Sequence, residues 1–179
     1  LLTGGGDLRE VLSGIESARA AGLPVKVNTV VIRGFNEGEV VALAEWALRE
    51  NLPLRFIEFM PLDGRSFWSA DKVFAEKEIL ARLAEHFHLA PVARTSDPAT
   101  TYLLDGRFKI GIISTVSNPF CAKCDRIRLT ADGHLFSCLF SPAGTSLRDA
   151  LRRGDRSSLD SAIIEAVSNK PRGFIEKQA

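Results

Sequence analysis

Three cysteines lie close together in this sequence, at a spacing suited to holding a metal. Two residues separate Cys121 from Cys124, thirteen more follow, and Cys138 closes the set. No other cysteine occurs among the 179 residues. An odd number of thiols within eighteen positions makes no disulfide framework, and in a reducing compartment it reads as a ligand set. The first pair sits in the loop Asn118-Pro119-Phe120-Cys121-Ala122-Lys123-Cys124, where two thiolates can aim at one centre. The third must be delivered by a chain reversal, and Thr130-Ala131-Asp132-Gly133 supplies one.

Strand parity then decides which side chains meet. Alternate residues of a strand face the same way, so Cys124, Arg126 and Arg128 share a face while Ile127 and Leu129 take the other and are free to pack in a core. A two-residue loop at Asp132-Gly133 would pair Arg126 with Leu139 and turn Cys138 away. A three-residue loop, Ala131-Asp132-Gly133, pairs Arg126 with Cys138, and it needs a left-handed residue at its end, which Gly133 provides. The expectation is the three-residue loop with a bulge at Gly133, gathering three sulfurs and two guanidiniums on one side of one ribbon.

Three cysteines leave a [4Fe–4S] cluster with one iron free of protein ligands, open to substrate. Zinc is the rival, with His134 as fourth ligand. His134 and Cys138 are four residues apart on a predicted strand, about 13 Å at roughly 3.3 Å per residue, whereas zinc sits about 2.0–2.3 Å from its ligands. Three thiols buried for packing alone are the remaining possibility. Arg126 and Arg128 are permanently charged and each can grip a phosphate with two bonds; the plainer alternative is a solvated strand face salt-bridged to Asp125 or Asp132.

The elements that must position this ribbon come in two styles. Asp7, with Glu10 three residues on, opens a helix whose Leu8, Val11, Leu12 and Ile15 recur at helical spacing and which Gly22 and Pro24 end. Val25–Val31 is β-branched and reads as a strand. Asn36 with Glu39 opens a helix running to about Glu50, and Leu54–Met60 is a second strand. Helix, strand, helix, strand is the rhythm of a parallel sheet, which needs cover on both faces. Residues 1–62 therefore read as a piece of a larger α/β barrel or sheet whose N-terminal half is missing. Residues 63–179 read as an α+β part. They begin with a turn at Asp63-Gly64 and a helix Glu76–Phe87. A hairpin Thr100–Leu104/Arg107–Ser114 across Asp105-Gly106 follows, the pair favoured in type I′ turns. The cysteine hairpin, Arg126–Thr130 with His134–Phe140, comes next, then helices near Thr145–Arg153 and Ser157–Ser168.

Composition is that of an ordinary globular protein, 45% hydrophobic and 25% charged, with a formal net charge of +1. No global field draws it to nucleic acid or membrane, although Phe120–Arg156 carries seven Lys/Arg against four Asp. No apolar run is long enough to span a bilayer and no signal segment opens the chain, so the expected location is cytoplasmic.

Phe120-Cys121-Ala122-Lys123-Cys124-Asp125-Arg126-Ile127-Arg128-Leu129-Thr130-Ala131-Asp132-Gly133, closed by Cys138-Leu139-Phe140, resembles the second-cluster segment of the radical SAM GTP 3′,8-cyclases of molybdenum cofactor biosynthesis. Val25-Lys26-Val27-Asn28 and Arg55-Phe56-Ile57-Glu58-Phe59-Met60-Pro61 resemble the same family at matching spacing, and the resemblance runs to about Pro171. It implies an incomplete radical SAM barrel closed by a C-terminal domain. It also implies a lyase that converts GTP to 3′,8-cyclo-7,8-dihydro-GTP with a radical from S-adenosylmethionine. Carried onto this chain, Cys121, Cys124 and Cys138 hold the second [4Fe–4S] cluster. Lys26, Arg126, Ile127 and Arg128 bind GTP, and Met60 meets S-adenosylmethionine through its backbone. Taken without the resemblance, Lys26 is equally a charge guarding a strand edge, Met60 ordinary core filler, and His86 and His88 surface residues.

The sequence departs from the family in two places. The first cluster's C-x3-C-x2-C motif is absent, since no cysteine precedes Cys121, and the chain ends Ile175-Glu176-Lys177-Gln178-Ala179 without the family's Gly-Gly tail. The expectation is a fragment inactive alone, able at most to hold the second cluster and a nucleotide. A zinc-stabilised binding module, or another radical SAM enzyme with a C-terminal auxiliary cluster, is the alternative. A homodimer is expected from the resemblance and from an exposed strand edge.

Overall fold

The computed structural model describes residues 5–62, 67–93, 97–121 and 124–170. Helix α1, Leu8–Ala20, starts where Asp7 accepts the Arg9 N–H at 2.9 Å. None of its residues is buried, and Leu8 and Val11 are exposed. Strand β1, Val27–Val31, leads not directly into a helix but into a 3₁₀ turn, Glu37–Glu39, and then α2, Val40–Glu50. Asn36 does not cap that helix. Its side chain instead accepts the Ile32 N–H at 2.8 Å and donates to the Val30 carbonyl at 3.0 Å, pinning the exit of β1. Asn51 ends α2 in the left-handed region, φ 52°, and β2 follows as Leu54–Glu58.

After α3, Glu76–Ala84, come β3, Leu89–Pro91, β4, Thr100–Leu104, and β5, Phe108–Ile113. These join β1 and β2 in one five-stranded sheet of order β1-β2-β5-β4-β3. Strands β1, β2 and β5 run parallel, and β4 and β3 are antiparallel additions. The sheet thus crosses residue 62: the Thr100–Ser114 hairpin, expected to belong to a separate α+β part, extends the parallel pair. What the described residues form is a mixed α/β sheet.

The turn between β4 and β5 has left-handed φ at Asp105 (49°) and Gly106 (70°), as the sequence predicts. The ladder nevertheless pairs Leu104 with Phe108, leaving Arg107 as an extra residue in the loop. Hydrophobic pattern imposes this register. Opposed residues share a face, so pairing Leu104 with Arg107 would turn Arg107 and Lys109 into the core and Phe108 out of it. As built, Phe108, Ile110 and Ile112 lie buried beside Leu54 and Phe56, under Val40, Ala44 and Ala47 of α2 and Ile79 and Leu83 of α3. This is the face helices cover. The opposite face carries Asn28 and Val30, both exposed, with Arg55 and Ile57 half-buried.

Beyond β5 the chain builds a second sheet of three short strands, β6, Arg128–Leu129, β7, His134–Phe136, and β8, Thr145–Ser146, in that order. Helices α4, Arg148–Arg153, and α5, Arg156–Ser168, follow. The helix expected from Thr145 therefore starts three residues later, because Thr145 and Ser146 pair with Leu135 and His134. The predicted turn at Asp63-Gly64 and the tail Ile175–Ala179 lie outside the described residues.

Candidate functional site

The cysteine hairpin takes the three-residue loop. Arg128 pairs with Phe136 and Leu129 with Leu135. Thr130 N–H donates to the His134 carbonyl at 3.0 Å, and Gly133 N–H donates back to the Thr130 carbonyl at 3.0 Å. Gly133 has φ 84°, the left-handed conformation this loop demands. Carried two residues back along the ribbon, that register sets Arg126 opposite Cys138. The ladder is shorter than expected, however. It stops at Arg128 and Phe136, and Cys138 sits in a turn in which its carbonyl accepts the Ser141 N–H at 3.2 Å.

Two local features fold the segment beyond β7 this way. Gly144 passes so close to Phe136 that a Cβ there would meet the ring at 2.7 Å, so only glycine allows β8 to return along β7. Leu135, next to Phe136 on β7, is buried. Ile127 and Leu129, by contrast, are exposed, contrary to the expected core packing. A ribbon this small buries the far side of β7 and has no layer to place over β6.

All three cysteines are free thiols, each partly exposed. A turn joins the first two, with Cys124 N–H donating to the Cys121 carbonyl at 3.2 Å; the Cys138 sulfur accepts the Phe140 N–H at 3.4 Å. Among the described residues no three His, Cys, Asp or Glu side chains converge closely enough to hold a metal ion. His134 is engaged elsewhere: its Nδ1 lies 3.1 Å from the Asp132 carboxylate. Asp132 also accepts the Thr130 hydroxyl, and that bond, followed by His134, holds its carboxyl below the usual range. Asp132 is thus spent on the loop, and among the described residues no carboxylate lies within ion-pair distance of Arg126 or Arg128.

The segment that delivers Cys121 is anchored to the sheet by a residue the sequence reading had not singled out. Glu58, wholly buried at the end of β2, accepts the N–H groups of Val116 at 2.9 Å and Ser117 at 2.8 Å, and the Ser117 hydroxyl. Its other partner is the Glu76 N–H at 2.9 Å, in the first turn of α3. Ala75 has no side-chain oxygen to cap that helix, so Glu58 supplies the missing acceptor. Glu76 in turn accepts from Tyr102 and from Asn118, each at 3.1 Å. A buried acid in a strand of β-branched and aromatic neighbours was the available signal.

Met60 lies half-buried just past β2, its carbonyl accepting the Leu62 N–H at 2.8 Å. It shares the C-terminal edge of β2 and β5 with the start of the cysteine segment. Lys26 is exposed at the opposite edge, immediately before β1. In the register of β1 and β2 that places it about seven residues, or roughly 23 Å, from Met60. It borders a cavity of about 470 Å³ with Asn51, Leu54, Arg55, Arg107 and Lys109. Arg55 lies across Gly111, where a Cβ would meet its stem at 3.0 Å, and pairs with Asp97.

The fold and site define a class: a mixed α/β protein whose last parallel strand is followed by a short β-hairpin, with three free thiols and two arginines in and around it. The chain belongs to the Molybdenum Cofactor Synthesis C family, whose model matches residues 52–175. It is 47% identical over 156 residues to a GTP 3′,8-cyclase of Corynebacterium glutamicum, covering 82% of this chain and 41% of that protein. A GTP 3′,8-cyclase of Streptomyces coelicolor is 44% identical over 149 residues, 80% of this chain and 44% of that protein. One of Paracoccus denitrificans is 41% identical over 177 residues, 96% of this chain and 51% of that protein. The chain thus spans about half the length of the curated relatives it matches.

Proposed function

We propose that this chain is the part of a GTP 3′,8-cyclase that holds the purine nucleotide, with Cys121, Cys124 and Cys138 ligating a [4Fe–4S] cluster and Arg126, Ile127 and Arg128 forming the nucleotide-binding strand. What supports the reading is the three-residue loop with left-handed Gly133 and the pairing of Arg128 with Phe136, from which Arg126 and Cys138 lead off on the two limbs of one hairpin. The donor set fits such a cluster in kind: three thiols, none in a disulfide. Zinc is less well served, since His134 is turned to Asp132.

When bound, the cluster supplies one iron without a protein ligand, an open position for the purine. The chain's own residues do the rest. Arg126 and Arg128, free of carboxylate partners among the described residues, offer forked donors to an anionic nucleotide. The backbone at Ile127 lies between them. Met60 is the candidate contact for S-adenosylmethionine at the C-terminal edge, and Lys26, on the face of Asn28 and Arg55, is a candidate contact for the nucleotide that would have to extend along the sheet from the opposite edge. The C-terminal edge is where barrel enzymes keep their sites, and an incomplete radical SAM barrel is the architecture in which β1, β2 and β5 would take part. Cys121, Cys124 and Cys138 are the three cysteines of residues 1–179, and in this reading they serve nucleotide binding and not radical generation. In this reading the protein is a cytoplasmic homodimer, paired through a sheet edge such as β1.

Anaerobic reconstitution tests the proposal. Iron and sulfide should each approach four per chain, and the loaded protein should bind GTP, with Arg126→Ala weakening it at least tenfold. Stoichiometric zinc with no cluster, or GTP affinity indifferent to Arg126, overturns it.

A further inference from the structure

The ribbon stops pairing just where its cysteines begin, and a lysine occupies the gap. Thr130 turns its N–H and carbonyl toward β7. In an antiparallel ladder every second residue does the same, so the next hydrogen-bonded pairs after Arg128 and Phe136 would join Arg126 to Cys138 and Cys124 to Phe140. Among the described residues, Arg126 and Cys138 exchange no backbone hydrogen bond. Instead the Lys170 ammonium donates to the Arg126 carbonyl at 2.7 Å and to the Cys124 carbonyl at 2.8 Å. Its third contact is the Cys124 sulfur at 3.5 Å.

An ammonium has three donors and no acceptor, and here one short stretch of chain takes all three. Lys170 is half-buried, so the satisfied charge is partly withdrawn from water. Its backbone is set by α5, through its own N–H to the Val167 carbonyl at 3.2 Å. Helix α5 is itself fixed at its start by Asp155, which accepts the Ser158 N–H at 3.0 Å.

We propose that Lys170 is a positioning residue for the cysteine site. It takes the carbonyls that would otherwise close the ladder, keeps the Cys124 and Cys138 limbs apart, and donates an N–H···S hydrogen bond to the Cys124 thiolate. The inference rests on the cluster reading above. It adds a specific consequence, because hydrogen bonds to the sulfurs and nearby charge set a cluster's reduction potential. A cation at Cys124 favours the reduced cluster, so the potential lies higher with Lys170 than without it.

The experiment reconstitutes the wild type, Lys170→Met and Lys170→Arg in parallel. It reads iron content, iron loss to a chelator, and the midpoint potential by electron paramagnetic resonance. Lys170→Met should shift the midpoint to a more negative value and release iron about 10–100-fold more readily, the usual effect of losing a partner behind a ligand. Lys170→Arg keeps charge and donors and should restore most of both. A wild type that takes no cluster overturns the cluster reading and this proposal with it. A wild type that loads normally, with a Lys170→Met midpoint and iron loss identical to its own, overturns this proposal and leaves the cluster reading standing. Should circular dichroism show Lys170→Met unfolded, the comparison passes to Lys170→Gln, where an unchanged midpoint overturns the proposal equally.

Discussion

Ser117 is bound twice to Glu58, by its N–H at 2.8 Å and by its hydroxyl. That pair fastens the chain leading to Cys121 onto the end of β2, fifty-nine residues earlier in sequence. Because Glu58 also caps α3, one buried carboxylate joins the sheet, the helix and the cysteine segment.

Replacing it should be costly. An N–H left buried without a partner costs about 1–3 kcal/mol, and Glu58 serves one that is buried, at Glu76, and two that are part-buried, at Val116 and Ser117. Glu58→Ala should therefore lose several times what a surface substitution does, roughly 3–5 kcal/mol in urea unfolding. Glu58→Gln should lose less, about 2 kcal/mol, since it keeps one acceptor but turns an NH₂ toward donors. A Glu58→Ala loss under about 1 kcal/mol would remove the carboxylate from its anchoring role.

The hairpin depends on two glycines for different reasons. Gly133→Ala puts a side chain at φ 84° and a Cβ 3.2 Å from that of Arg148. Left-handed backbone alone costs about 1–2 kcal/mol, so the Thr130 amide should lose protection from hydrogen exchange. Gly144→Ala is steric only, meeting the Phe136 ring at 2.7 Å. A second change, Phe136→Leu, should recover part of its loss and none of that at Gly133. Equal recovery in both would show the two sites to be coupled.

A pH dependence is expected from Arg33 and Glu78. Both Glu78 oxygens accept from Arg33, at 2.8 and 2.7 Å, and that bond above all lowers the Glu78 pKa from its ordinary 4.5. A lowered folded-state value stabilises the protein above pH 4.5, and the contribution disappears as pH falls through the folded value. The pair is partly exposed, so its worth is about 1 kcal/mol or less. The stability gap between wild type and Glu78→Gln should accordingly be present at pH 7 and shrink in acid. A gap that widens in acid contradicts the assignment.

His134 separates the metal alternatives. With its ring on Asp132 at 3.1 Å, His134→Ala should leave the iron and sulfide of reconstituted protein unchanged. Metal lost with the imidazole would point to zinc.

Much of this was legible in the linear order of residues, because local rules act on neighbours. The three-residue loop and its left-handed Gly133 depend on residues a few positions apart, and the observed register follows from them. The helix over 8–20 follows from apolar spacing in the same way, and so does that over 76–84, which stops three residues short of the expected Phe87. Only tertiary structure decided the rest. No local pattern says that β5 will lie parallel to β2, since that pairing is chosen by which faces can be buried together. Ile127 and Leu129 have the alternation of packed residues and are exposed, because nothing covers that side of β6. Glu58 and Lys170 read as ordinary charges until the fold surrounds them with amides and carbonyls from distant segments. Their partners lie as far as fifty-nine and forty-six residues away in sequence, beyond the reach of any rule about neighbours.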